Sequence, residues 1–287
     1  MKIYLECIPC FLRQAVEASQ MITDDLDKQE NIVRKVLHEC SRLDLTETSP
    51  YMGTLIHRYI KQVSGNDDPY KDIKVKFNRV AHEICDELNL DKLIEESNKP
   101  FDMAVRLAIA GNIIDFGVTS EIEESKVRDT VKSCIDAEIK FNTSNELKEA
   151  IDKAKNILYL GDNSGEIVFD KLLIKQLPRN KVTYVVKGKP VINDATMEDA
   201  KSVGMTDIVR VIDNGADVPG TLLKFSSPEF IDEFNKADLI IAKGQGNYET
   251  LSHTKDKKIF FLLKAKCPVI AKDLNCGVGD IIIKKNY

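Results

Sequence analysis

Ile157-Leu158-Tyr159-Leu160-Gly161-Asp162-Asn163-Ser164-Gly165-Glu166 is a short apolar run that stops on glycine and turns abruptly polar. Apolar without alternation, such a run reads as a strand covered on both faces, as in parallel sheets flanked by helices. The pattern returns at Val182–Val186, Ile208–Ile212, Leu239–Ala242, Ile259–Leu263 and Ile281–Ile283. Segments with helical spacing fill most of the gaps, among them Ile167–Leu177 and Phe230–Lys236. Strands alternating with helices predict an α/β fold, a Rossmann-like α/β/α sandwich with a mostly parallel sheet.

Upstream of residue 150 convincing β-runs are missing. Ile8, Phe11, Leu12, Ala15, Val16 and Ser19 recur at helical offsets, and Pro9 suits a first turn. Helical spacing also covers Lys28–Leu43, Gly53–Val63, Lys71–Leu90 and Phe101–Ile114, with Pro69, Pro100 and the loop Ser64–Asp68 as punctuation. The expected organisation is an all-α amino-terminal domain over 1–150 and an α/β/α catalytic domain over 151–287. A chain of 287 residues suits such a pair.

Composition excludes several classes. With 43% hydrophobic and 30% charged residues the chain is not intrinsically disordered. Forty-one basic against 46 acidic residues give a net charge of −5, which argues against nucleic acid as a partner. No run approaches the roughly eighteen apolar residues of a membrane span, and Met1-Lys2 opens no secretory leader. Seven cysteines, odd in number and thinly spread, point to a reducing cytoplasm.

Ligands of open parallel sheets bind outside the carboxyl ends of the strands. Four exits here are polar and contain glycine: Gly161–Glu166, Lys187–Thr196, Asp213–Gly220 and Lys243–Glu249. Glycine, asparagine and aspartate make turns anywhere, but four such loops at one sheet edge favour a site. Asp162, Asn163 and Asp194 offer hard oxygen ligands that suit magnesium or manganese, with cobalt or nickel next, better than structural zinc. Ser164 and Glu166 open a helix whose amides would receive an anion, although Ser164 reads equally as a cap. Lys243, with the amides of Gly244 and Gly246, would neutralise phosphoryl oxygens. Lys187, Asn193 and Asn247 lie in the same loops as substrate contacts, with Lys187 alternatively only solvated. Gly111-Asn112-Ile113-Ile114-Asp115 ends an apolar helix, and Asn112 and Asp115 are candidates for reading the organic part of a substrate.

These segments, with Cys7-Ile8-Pro9-Cys10 before them, together resemble the family first called domain of unknown function 89, over nearly the whole chain. The resemblance implies a metal-dependent damage-control phosphatase, related to a reported protein-glutamate methyltransferase, with a helical domain joined to an α/β/α domain. By resemblance, Asp162, Asn163 and Asp194 match the metal-binding positions, and the early Cys-x-x-Cys marks the prokaryotic branch. The expected substrate is a small phosphorylated metabolite such as a phosphosugar, with either water or Asp162 as the nucleophile. S-adenosylmethionine-dependent carboxyl methyl transfer is the alternative enzyme, and a non-enzymatic metabolite-binding regulator the third reading. The Gly-x-Gly-x-x-Gly turn expected for the methyl donor is absent after the first strand. Cys7 and Cys10 have redox or half-metal-site spacing at a helix start, against a purely structural role.

Overall fold

The protein is described from a computed structural model over residues 1–113 and 124–287. Three helices, α1 (Cys7–Ile22), α2 (Leu26–Ser41) and α3 (Ser49–Ser64), open the chain. They bury Phe11, Ala15, Ile32, Val36, Met52, Ile56 and Ile60 in a core of their own. The Asp25 carboxylate caps α2 by accepting from the amides of Asp27 and Lys28.

Helices α4 (Lys71–Glu87), α5 (Leu90–Glu95), α6 (Pro100–Ala110) and α7 (Glu124–Asp136) follow. The remaining elements alternate. They are β1 (Ile139–Lys140), α8 (Ser144–Lys153), β2 (Ile157–Leu160), α9 (Glu166–Ile174), β3 (Val182–Val186), α10 (Met197–Ser202) and β4 (Arg210–Asp213). After them come α11 (Pro228–Lys236), β5 (Leu239–Lys243), α12 (Gly244–Leu251), β6 (Ile259–Lys264), α13 (Pro268–Leu274) and β7 (Ile281–Lys285).

Among the described residues the sheet runs β1-β7-β6-β5-β2-β3-β4. From β6 to β4 every pairing is parallel, and β7 lies antiparallel to β6. The chain steps outward from β2 through β3 to β4, then returns to the other side of β2 for β5 and β6. This reversal makes a topological switch point between the carboxyl ends of β2 and β5.

The two faces of the sheet sort by strand parity. Ile157, Tyr159, Leu239 and Ile241 pack with α4, α6 and α9, whereas Leu158, Leu160, Ile240 and Ala242 pack against α11, α12 and α13. Each large apolar side chain buried this way contributes about 1.5–3 kcal/mol. The sandwich expected from sequence is present, with one difference in its organisation. Phe77, Ala81, Val105 and Ile109 share one core with the sheet, so α4 and α6 form a layer of the sandwich. Only α1–α3 keep a separate core, so the change of composition near residue 150 marks a change of element type, not a packing boundary.

Candidate active site

The β2 exit is stitched to the neighbouring β3 exit by backbone. Ala195 N donates to the Asp162 carbonyl at 2.8 Å and Ser164 N to the Asn193 carbonyl at 2.8 Å. Asn163 and Asp194 form an antiparallel bridge. Only glycine fits at 161, since a Cβ there would stand 2.4 Å from the Tyr184 hydroxyl. Two loops far apart in sequence thereby hold Asp162, Asn163 and Asp194 together, each nearly buried, at the edge of the switch point.

A second set of groups fixes the Asp162 carboxylate from behind. Asn112 Nδ2 donates to Asp162 Oδ2 at 3.0 Å and to Glu166 Oε2 at 2.7 Å. Asn163 Nδ2 donates to the same two oxygens at 3.0 and 3.2 Å. With its amino group so engaged, Asn163 keeps Oδ1, which accepts no hydrogen bond among the described residues. Gly244 has φ +76°, and a Cβ there would lie 1.8 Å from Asp162 Oδ2. Gly244 therefore leaves the space in which the carboxylate rests.

Beneath this lies a buried ion cluster. Lys243 Nζ donates to Glu166 Oε1 at 2.7 Å, Asp170 Oδ1 at 2.5 Å and the Ala108 carbonyl at 2.8 Å. Tyr159 and Tyr184 donate to Asp170 at 2.7 and 2.8 Å. Burial works against the Lys243 ammonium, but the charges of Asp170 and Glu166 outweigh it and hold its pKa above the usual value. Burial likewise pushes Asp170 up, with Lys243 opposing.

These placements correct several expected roles. Lys243, Glu166 and Asn112 are each 0% exposed and lie outside the lining of the cleft, with Asn112 bonded to the Asp162 carboxylate and Lys243 paired with Glu166 and Asp170. Asn247 is consumed structurally, donating to the Gly161 and Lys243 carbonyls and accepting from Thr221. Lys187 is not solvated. It pairs with Asp194 at 3.3 Å and donates to the Gly220 carbonyl. The Gly165 amide at the start of α9 donates to Asn78 Oδ1 at 2.7 Å, which occupies an expected anion donor. Ser164 caps nothing, and its buried Oγ has no hydrogen-bond partner among the described residues. Asp115 lies outside the described residues.

The carboxylates open onto a cleft of about 560 Å³. Asp162, Asn163, Asn193 and Asp194 line one side, while Cys10 and Phe11 of α1 and Pro50 and Gly53 of α3 line another. The cleft is thus closed by α1 and α3, and Asn112, expected to read the organic part of a substrate, is bonded to the Asp162 carboxylate and absent from the lining. A second depression, about 790 Å³ around Asn156, Arg179 and Arg210, lies at the amino ends of the strands and holds none of these groups.

No three His, Cys, Asp or Glu side chains among the described residues converge on a metal-sized point. The donor set at the cleft is two carboxylates and one amide, which suits a hard cation that keeps several waters. The buried Asn112 Oδ1, without a hydrogen-bond partner among the described residues, adds an unused oxygen beside it.

The model of the damage-control phosphatase ARMT1-like domain matches residues 3–282. The chain belongs to that family. A damage-control phosphatase of Pyrococcus horikoshii is 38% identical over 100% of this chain and 99% of its own length. Another, from Archaeoglobus fulgidus, is 36% identical over 99% of both chains. An uncharacterised protein of Methanocaldococcus jannaschii is 39% identical over 99% of this chain and 95% of its own. A crystal structure of a family member from P. horikoshii, under the older name DUF89, superposes with a TM-score of 0.89 at 36% identity, covering 100% of both chains.

Within this family fold, two cleft residues escaped the sequence reading. Lys266 follows β6 at an exit without glycine, so no turn signal drew attention to it. Glu249 closes the Lys243–Glu249 loop and lines the cleft at 8% exposure. Burial pushes its carboxyl up to about 8. A carboxyl raised on folding contributes stability that is present below its unfolded value and lost as pH rises through about 8. Glu249→Gln should therefore raise the melting temperature at pH 9, by progressively less on acidification, and leave it nearly unchanged near pH 4. An equal shift at both pH values would mean that the carboxyl is already ionised in the folded protein.

Proposed function

We propose that this protein is a metal-dependent phosphatase that hydrolyses the phosphate monoester of a small metabolite, a phosphosugar or a similar compound. The observation that carries the reading is the oxygen cluster of Asp162, Asn163 Oδ1 and Asp194 at the switch point of a damage-control phosphatase fold. These three residues would hold one divalent cation, magnesium or manganese before cobalt or nickel. Bound there, the cation supplies Lewis-acid polarisation of the phosphoryl group and neutralises charge on its oxygens.

The chain's own residues organise the rest. Asn112 and Asn163 Nδ2 orient the Asp162 carboxylate, and Lys187 orients Asp194. Lys266 lines the same cleft and brings positive charge toward an anionic substrate. Phe11 and Pro50 give the cleft an apolar wall away from the carboxylates, where the organic part of the substrate would rest. Carboxyl methyl transfer is not favoured, since the β2 exit lacks the glycine-rich turn of a dinucleotide-type site and the P. horikoshii and A. fulgidus relatives are named as damage-control phosphatases.

Phosphate release measured across a panel of phosphosugars and phosphonucleotides tests this. Activity should vanish with a chelator and return with magnesium, manganese, cobalt or nickel. Full activity in chelator would refute metal dependence, and no release from any panel member with any of these metals would refute the phosphatase reading.

A further inference from the structure

Cys7 and Cys10, which the proposed phosphatase chemistry does not use, lie on the wall of its cleft, with Cys267 in the lining as well. All three are free thiols. We infer that Cys7 and Cys10 form a redox-active dithiol, oxidised to an intramolecular disulfide by low-molecular-weight disulfides of the glutathione class, with Cys10 as the attacking sulfur.

Several independent observations assign the roles. Cys10 is exposed whereas Cys7 is half-buried. Arg13, one turn along α1, brings its guanidinium Nη2 to 3.8 Å from Cys10 Sγ, a fixed positive charge beside the sulfur. Both cysteines stand in the first turn of the sixteen-residue α1, whose start no side chain caps and whose dipole favours negative charge there. Burial, with the charges of Glu249, Cys267 and Cys10 nearby, pushes the Cys7 thiol up, as befits a resolving thiol that reacts second.

The geometry permits closure. Residues three apart on a helix carry Cβ atoms about 5–6 Å apart, and a disulfide wants roughly 3.8 Å, so the turn must tighten by ~1–2 Å. Pro9 lies between the two cysteines and has no amide hydrogen to lose in that adjustment. Cys267 is a weaker partner, because it heads α13 from another part of the fold and accepts from Gln245 Nε2 at 3.7 Å.

The chemistry balances in two exchanges. The Cys10 thiolate attacks one sulfur of the incoming disulfide, forming a mixed disulfide and expelling one thiolate, which takes up a proton. Cys7 then gives up its proton, attacks Cys10 Sγ and expels the second thiolate. The dithiol is oxidised by two electrons, the incoming disulfide is reduced, and two free thiols leave.

Full-length protein exposed to oxidised glutathione, followed by peptide mapping with mass spectrometry, tests this independently of any phosphatase activity. The expected product is a Cys7–Cys10 disulfide that a dithiol reductant reverses. Cys7→Ser should accumulate glutathione on Cys10, because the resolving thiol is gone. Cys10→Ser should take up glutathione at Cys7 about tenfold more slowly or less. Circular dichroism of each variant checks that it remains folded. The inference falls if Cys10 alkylates readily yet no Cys7–Cys10 bond forms. It also falls if either thiol pairs with Cys267 instead, or if Cys7 reacts as fast in Cys10→Ser as Cys10 does in Cys7→Ser.

Discussion

Asp162→Asn should lower phosphate release at least about a thousandfold, roughly 4 kcal/mol of transition-state stabilisation, while leaving the melting temperature within a few degrees. The substitution keeps the shape of the side chain, removes its charge and replaces one acceptor oxygen with an amide donor. Three features of the structure make Asp162 the most sensitive position. Two amide groups, from Asn112 and Asn163, converge on its Oδ2, which rests where a Cβ at position 244 would otherwise stand. Its main chain is fixed by Ala195, so the side chain has little freedom to drift. Stability should change little because Asp162 adds a negative charge beside Glu166, to which Asn112 also donates, and removing one charge relieves repulsion. Retention of more than about a tenth of the wild-type rate, a loss below about 1.4 kcal/mol, would remove Asp162 from the proposed metal site. Asp194→Asn is the companion measurement. Lys187 would lose its ion-pair partner there, so some loss of stability should accompany the loss of rate.

The meeting of Asp162, Asn163 and Asp194 at one sheet edge was legible in sequence because a strand exit obeys local rules. An apolar run ends, glycine turns the chain, and polar residues face the sheet edge. What lies behind that edge was not legible in the same way. Lys243 reads as an exit lysine, yet it shares strand parity with Leu239 and Ile241, whose side chains face α6 and α9. That parity sends its amine into the interior. A signal for its partners was available: Glu166 and Asp170 are two acids four apart in the otherwise apolar first turns of α9, and both are fully buried. The layer role of α4 and α6 was hidden for another reason. Helical periodicity shows that a face is apolar but not what it packs against. The two-residue β1 is too short for any period to register.

The exchange of roles at Lys243 has a direct consequence for stability. Lys243→Met should destabilise the fold by about 3–5 kcal/mol, because two buried carboxylates lose their shared cation. For a chain of this size each kcal/mol corresponds to roughly 2–4 °C in melting temperature, so the shift should be easy to measure. Its pH dependence identifies the cause. Asp170 already has a raised pKa from burial, and the Lys243 charge is what opposes that rise. Removing the ammonium raises the Asp170 pKa further. A raised carboxyl contributes stability below its unfolded value, near 3.8, and loses it as pH climbs through the folded value. The gap between variant and wild type should therefore be widest at pH 8 and narrow on acidification toward pH 5. Adding Asp170→Asn to Lys243→Met should recover part of the loss at pH 8, since one uncompensated charge is gone. A lysine that only met substrate phosphate would behave otherwise, raising KM with the melting temperature unchanged at every pH. A gap that stays constant from pH 8 to pH 5 would mean that Lys243 does not compensate the Asp170 charge.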